Sequence, residues 1–370
     1  MWLLAFFAFF NRAASIYVFI SCALLGVLSE LLKVYYSDGR PFYMVPGIKA
    51  LDCNHVDFGR PDGHLFSTAT VLVMIFVSYF DPHDIRGSAE LLYRNRDGTF
   101  DDADRKDSQH NHNRSSPIIF FVFGSLLGLV ILLGWFSEIM TGSNSLDQVL
   151  FGSSLSIGFT LTWYLLRDEL QKYYLRVSEH VFEWDQKIRI ILFLLFGLIV
   201  FLAIMLGSRA YIIKAFNDLD DVPPEWVLAY EKQCGKARHP HWFYLHLRNI
   251  YGYGLLFGGI VLGVTFDSLF LGGTIIYHNK TTEENYPLSG LIRWIILCIF
   301  WFGIFELWEY FIPGSMRNLW IKKLWMCICA FFIFSVFKYL FRALGLTRPY
   351  VTYLDVEEIW NDNNETAAQN

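Results

Sequence analysis

The chain reads as an all-α, polytopic transmembrane helical bundle of about eight spans. Three observations carry this. Hydrophobic residues make up 54% of the 370 positions and charged ones only 18%, where a soluble domain has about a quarter charged. The charges cluster between long apolar runs instead of being spread through them. The runs approach the roughly 20 residues that a helix needs to cross the hydrocarbon.

The elements follow in order. Residues 1–12 form an apolar segment that is too short to span and is interrupted by Asn11 and Arg12. It lacks the positive start of a signal peptide and reads as an interfacial piece or an N-terminal remnant. Spans are expected over about 13–32, 65–80, 117–136, 148–166, 189–207, 250–271, 290–312 and 321–341, the second being short. The first five make a core over 13–207, interrupted by a polar loop at 81–116. An extramembrane loop over 208–249 separates it from further spans within 250–345, and a polar tail covers 346–370.

Alternation of the spans puts loops 33–64, 137–147, 208–249 and 313–320 on one side, called side A. Loops 81–116, 167–188, 272–289 and the tail fall on side B. Side B has the denser basic clusters, such as Arg94, Arg96, Arg105 and Lys106, so it is expected to be cytoplasmic. An endoplasmic reticulum, another endomembrane and a mitochondrial inner membrane all fit. The sequons at Asn113, Asn279 and Asn364 fall on side B and carry no weight.

The net charge of −5 and the absence of a basic stripe argue against a nucleic-acid partner. No zinc-type spacing or P-loop occurs, so no metal or cofactor is expected. Cys22, Cys298, Cys327 and Cys329 fall inside spans as apolar fillers. Cys53 and Cys234 share side A and are either a disulfide or two unrelated thiols.

Two side-A stretches stand out. Lys33-Val-Tyr-Tyr-Ser-Asp-Gly-Arg40-Pro41 follows the first span, and Arg60-Pro61-Asp62-Gly63-His64 precedes the next. A third stretch, Ser143-Asn144-Ser145-Leu146-Asp147-Gln148-Val149-Leu150-Phe151-Gly152, lies in the following side-A loop. Together, over about residues 13–166, they resemble the type 2 phosphatidic acid phosphatase and haloperoxidase superfamily. The many-span plan is closest to its glucose-6-phosphatase-like branch. The family's first motif is Lys-x6-Arg-Pro, its second Pro-Ser-Gly-His, and its third Ser-Arg-x5-His-x3-Asp.

The resemblance implies phosphoryl transfer through a phosphohistidine, without a metal. Lys33 and Arg40 match the phosphate clamp, with Pro41 completing the motif. Gly63 matches a backbone donor, His64 the general acid and Asp147 the carboxylate that orients the nucleophile. Three departures oppose activity. Counting back from Asp147, the nucleophile position holds Ser143 and the Arg position Ser137. A register one residue later reads Ser137, Glu138, Asn144 and Gln148. Asp62 replaces the serine and sets a carboxylate where phosphate belongs.

The remaining polar residues have plainer readings. His64 without its partner reads as an interfacial histidine, and His55 and Asp57 as polar-loop residues. His239 and His241 belong to an amphipathic belt with Trp242 and Tyr244. Asp267 and the pair Glu306/Glu309 are ionisable groups at membrane depth, which raises ion transport as a minor alternative. Residues 167–188 have the spacing of an amphipathic helix extending span four.

The leading expectation is a non-catalytic pseudoenzyme: a structural or accessory subunit of a membrane complex, or a lipid-binding protein. Membrane lipids and other membrane subunits would be its partners. The alternative is a divergent lipid or sugar phosphate phosphatase with its nucleophile borrowed from His55 or from a histidine within 239–246. An active enzyme needs a histidine able to approach Lys33 and Arg40.

Overall fold

The computed structural model describes residues 4, 12–45, 47–48, 58–62, 69–70, 72–74, 76, 117–178, 184–218, 223–234, 242–271, 286–312 and 319–346. Gly63, His64, Cys53, His55, Asp57, His239, His241, loop 81–116, most of 1–12 and of 65–80, and all but the first residue of the tail lie outside them. So does the side chain of Cys234.

Every regular element among the described residues is helical. The helices are α1 (Arg12–Tyr36), the short α2 (Pro41–Met44), α3 (Pro117–Met140), α4 (Leu146–Ser178), α5 (Trp184–Leu202), α6 (Ser208–Asp218), α7 (Pro224–Cys234), α8 (Trp242–Phe270), α9 (Tyr286–Phe311), α10 (Leu319–Ser335) and α11 (Phe337–Ala343). A π-helical turn, Ala203–Gly207, joins α5 to α6 without breaking the rod. Among the described residues, 6 stretches are long and apolar enough to cross a membrane: Ser15–Met44, Phe121–Met140, Leu146–Leu166, Lys187–Phe216, Leu245–Phe270 and Leu288–Phe311. The expected span over 321–341 is α10, with 17 residues, followed after Val336 by α11. The chain is an integral membrane protein.

α8 is the axis of the bundle, with α10, α1, α5, α4 and α6 packed around it. α8 packs tightly on α10. A methyl group added at Gly259 would run into the Cys327 carbonyl oxygen, and one at Gly263 would stand 2.8 Å from the Phe331 carbonyl oxygen. Two glycines four apart let the backbones meet, which is how helices gain contact area where lipid tails already solvate apolar side chains.

α1 is the other inner helix. Ile16, Phe19, Ile20, Ala23, Val27 and Val34 recur at helical spacing and are buried. α3 is the opposite case: none of its most apolar stretch is buried inside the chain, and Phe121, Leu126, Leu133 and Phe136 are exposed. Such a helix faces lipid.

One boundary differs from the sequence reading. The expected loop over 208–249 is largely α6, α7 and the start of α8. Hydropathy misses α6 because Arg209, Lys214 and Asp218 dilute it, although Ile212 is fully buried on one face. Beyond its span, α4 runs on as one helix to Ser178, covering the first part of the extension expected over 167–188, while residues 184–188 open α5 instead. That extension docks rather than floats: Tyr174 and Val177 are buried, and the Ser268 hydroxyl of α8 donates to the Val177 carbonyl at 2.7 Å.

Candidate functional site: a buried polar core at the side-A end of the bundle

α1 ends where Ser37 takes a positive φ of 46° and its amide donates to the Lys33 carbonyl at 2.9 Å, the left-handed turn that commonly closes a helix. Asp38 and Gly39 then lead into α2, which Pro41 opens at its first turn, where a missing N–H costs nothing. This turn delivers Arg40 into the protein. Its side chain is 1% exposed, and Nη1 donates to the Ser143 carbonyl at 2.8 Å and to Asn144 Oδ1 at 3.2 Å.

The α3–α4 loop that receives Arg40 folds on Glu138. The amides of Ser143 and Asn144 donate to the Glu138 carbonyl, and Asn144 Nδ2 donates to Glu138 Oε2 at 2.9 Å. The Ser143 hydroxyl turns toward Thr141 Oγ1 at 2.9 Å. At the start of α4, in the sequence Ser145-x-x-Gln148, Gln148 Oε1 accepts from the Ser145 amide at 3.0 Å, one half of a capping box. The Gln148 amide nitrogen donates to the Gly39 carbonyl at 2.8 Å, which stitches α4 to the α1–α2 turn.

Asp147 lies one position earlier and faces outward. Its side chain is 61% exposed and pairs with Arg60 at 3.1 Å; the Ser145 hydroxyl donates to its other oxygen. Arg60 also approaches Asp38 at 3.8 Å and lies over the rings of Phe151 and Tyr36. The next residues, Pro61 and Asp62, are buried. Gly152 makes room for them, since an added methyl group would sit 3.1 Å from the Asp62 backbone. The described parts of the three sequence motifs therefore converge.

Lys33 is 4% exposed and its ammonium lies 3.4 Å from Glu30, one helical turn deeper. The other oxygen of Glu30 is 2.7 Å from Nδ1 of His246, on α8. The His246 ring is fully buried, stacked on Phe58 at 5.3 Å between centroids. A line of Lys33, Glu30 and His246 thus ties α1 to α8.

Over the aqueous end, α7 holds α2. Tyr43 and Tyr230 are buried together with Phe42, the Trp226 ring covers Gly39, and Gln233 donates to the Phe42 and Ile48 carbonyls.

Of the expected site residues, Lys33, Arg40, Asp62 and Ser143 lie in the buried polar region, Asp147 lies at its exposed rim, and Gly63 and His64 are outside the described residues. Glu30, Phe58 and the placement of His246 were not foreseen. Glu30 had a usable signal, a carboxylate three residues before Lys33 on the same helix face. The capping contact of Gln148 was equally readable. Among the described residues no cluster of three or more metal-ligating side chains occurs.

Residues 14–172 match the model of the PAP2 superfamily. The match begins within α1, ends within α4, and so contains all three motif regions but neither α7 nor α8. No curated protein and no solved structure matches the chain.

Proposed function

We propose that the chain is a PAP2-type membrane protein whose phosphoryl-transfer site has become structural, and that it serves as a non-catalytic membrane subunit or lipid-binding protein. The carrying observation is Arg40, buried and bonded to the Ser143 carbonyl and the Asn144 side chain, with Glu138 gripping the same loop. Counting from Gln148, the family's Arg, His and Asp positions become Glu138, Asn144 and Gln148. All three join the polar core, whereas Asp147 does not, which favours the later register. In that register the clamp arginine is reversed in charge, and an amide stands where a nucleophile is needed.

The electrostatics agree. Among the described residues, Lys33 and Arg40 share the region with the carboxylates Glu30, Asp62 and, half-buried, Glu138. A like-charge pair at 4 Å costs about 4 kcal/mol at a near-surface effective dielectric, so each carboxylate brought close to a phosphate dianion opposes its binding.

A divergent phosphatase is the second reading, and one observation favours it: His246 has Nδ1 held by a carboxylate and lies one residue from Lys33 through Glu30. The test of both is phosphate release by the purified protein in lipid–detergent micelles, offered phosphatidate, lysophosphatidate, sphingosine phosphate, dolichyl diphosphate and glucose 6-phosphate. No release above the blank is expected. Turnover that disappears in His246→Ala would overturn the non-catalytic reading.

A further inference from the structure

Gly252 of α8 makes room for a lysine of α10. A methyl group added there would meet Met326 Sδ at 3.1 Å and Lys323 Cδ at 3.6 Å, so the Lys323 stem lies along the α8 backbone. Gly252, Gly259 and Gly263 meet successively later residues of α10. The two helices therefore run parallel, and both start at the side-A end. Helical side chains lean toward the N-terminus of their helix, which carries the Lys323 ammonium toward that end. Arg248 lies there, one turn before Gly252 on the same face of α8.

Two further charges join them. Lys322 precedes Lys323 in the opening turns of α10. Trp308 Nε1 of α9 donates to the Ile321 carbonyl at 2.9 Å, which holds the end of α9, and with it Glu309, against the start of α10. Among the described residues, the charges that act on Lys323 are Arg248, Lys322 and Glu309, two cations and one carboxylate. No ion pair or side-chain hydrogen bond engages any of these four among the described residues. Arg248 and Glu309 are exposed and both lysines are half-buried, so the cluster is open to what surrounds the bundle.

The level is that of lipid headgroups: Arg248 lies near the start of the membrane-crossing stretch Leu245–Phe270 and Glu309 near the end of Leu288–Phe311. An ordinary interfacial anchor keeps its charge in water, apart from others of its sign. Here cations of two helices converge, and converging like charges favour an anion between them. We infer that Arg248, Lys322 and Lys323 bind the phosphate of an anionic membrane lipid in the side-A leaflet, across the starts of α8 and α10. Its oxygens accept from one guanidinium and two ammonium groups, the use to which basic pockets between membrane helices are put. The site lies outside residues 14–172, so the inference goes beyond the function proposed above and holds whether or not the motif region is catalytic.

The experiment titrates the purified full chain in a sugar detergent with short-chain phosphatidylglycerol, short-chain phosphatidylcholine or glycerol 3-phosphate. Thermal stability is followed for wild type, Arg248→Gln, Lys323→Gln and, as a control, Lys232→Gln, an exposed lysine on α7. Phosphatidylglycerol is expected to raise Tm at roughly tenfold lower concentration than phosphatidylcholine. Its apparent affinity should fall about fivefold in Arg248→Gln and in Lys323→Gln, and stay unchanged in Lys232→Gln. Equal response to the two lipids overturns the inference, as does an unchanged preference in Arg248→Gln. An equal loss in Lys232→Gln overturns it in favour of diffuse surface charge. An equal response to glycerol 3-phosphate overturns the lipid as the source of the phosphate. If Lys323→Gln does not fold, Arg248→Gln decides, because that side chain is exposed.

Discussion

Glu30 and Asp147 are both carboxylates paired with a cation but differ in what their loss would do. Glu30 stands between Lys33 and His246 with almost no access to water. Glu30→Gln removes the interior carboxylate that contacts both Lys33 and His246, and breaking a buried pair this way costs about 3–5 kcal/mol. A large fall in Tm is expected in thermal unfolding of the detergent-solubilised protein. Asp147→Asn removes an exposed partner of Arg60 and should cost less than about 1 kcal/mol. A comparable loss in both variants would contradict the assignment of Glu30 to the interior and Asp147 to the rim. These residues also mark what the sequence made legible. Lys33, Arg40 and Asp62 were recognisable because they lie at fixed spacing within short stretches. The choice between Asp147 and Gln148 was not, because a one-residue shift on a helix start exchanges a solvent-facing position for an inward one, and pattern matching alone does not say which carboxamide or carboxylate turns in.

At the scale of helices, burial separates positions that hydropathy treats alike. Ile260 on α8 is fully buried and Leu129 on α3 is exposed. Ile260→Ala should cost about 2–5 kcal/mol through lost contacts and a cavity. Leu129→Ala exchanges lipid contacts for lipid contacts and should leave Tm nearly unchanged. Gly263→Leu is expected to be severe, since its added atoms enter the Phe331 backbone. The docked end of α4 makes a pH prediction. Burial, aided by Tyr173, pushes the Tyr174 hydroxyl up from its ordinary 10.0 to about 12. Its folded form holds the proton more tightly, so its contribution is complete below pH ~10 and is lost as pH rises toward ~12. An absorbance titration of phenolate should show a late-ionising tyrosine that Tyr174→Phe removes. The spans of this layer were legible because each is a long apolar run. α6 was not, because its lipid-facing and protein-facing residues alternate with charges that average to a loop.

For the whole molecule, the division of labour runs across the family boundary. The match to the superfamily model ends at residue 172, yet the helix that organises the bundle, α8, and the helix that caps α2, α7, both come later. Sequence reading found the motif half readily and had nothing to assign after 207, because packing against α1 is not encoded as a motif. It follows that α1 enters the bilayer long before its main partner exists. Ribosomes add about 5–20 residues per second, so Glu30 and Lys33 wait on the order of 10–40 s for His246 to be synthesised. During that interval two charged side chains on a newly inserted helix have no α8 to cover them. A chain truncated before His246 would hold the Glu30–Lys33 pair without the α8 contact that the complete fold provides.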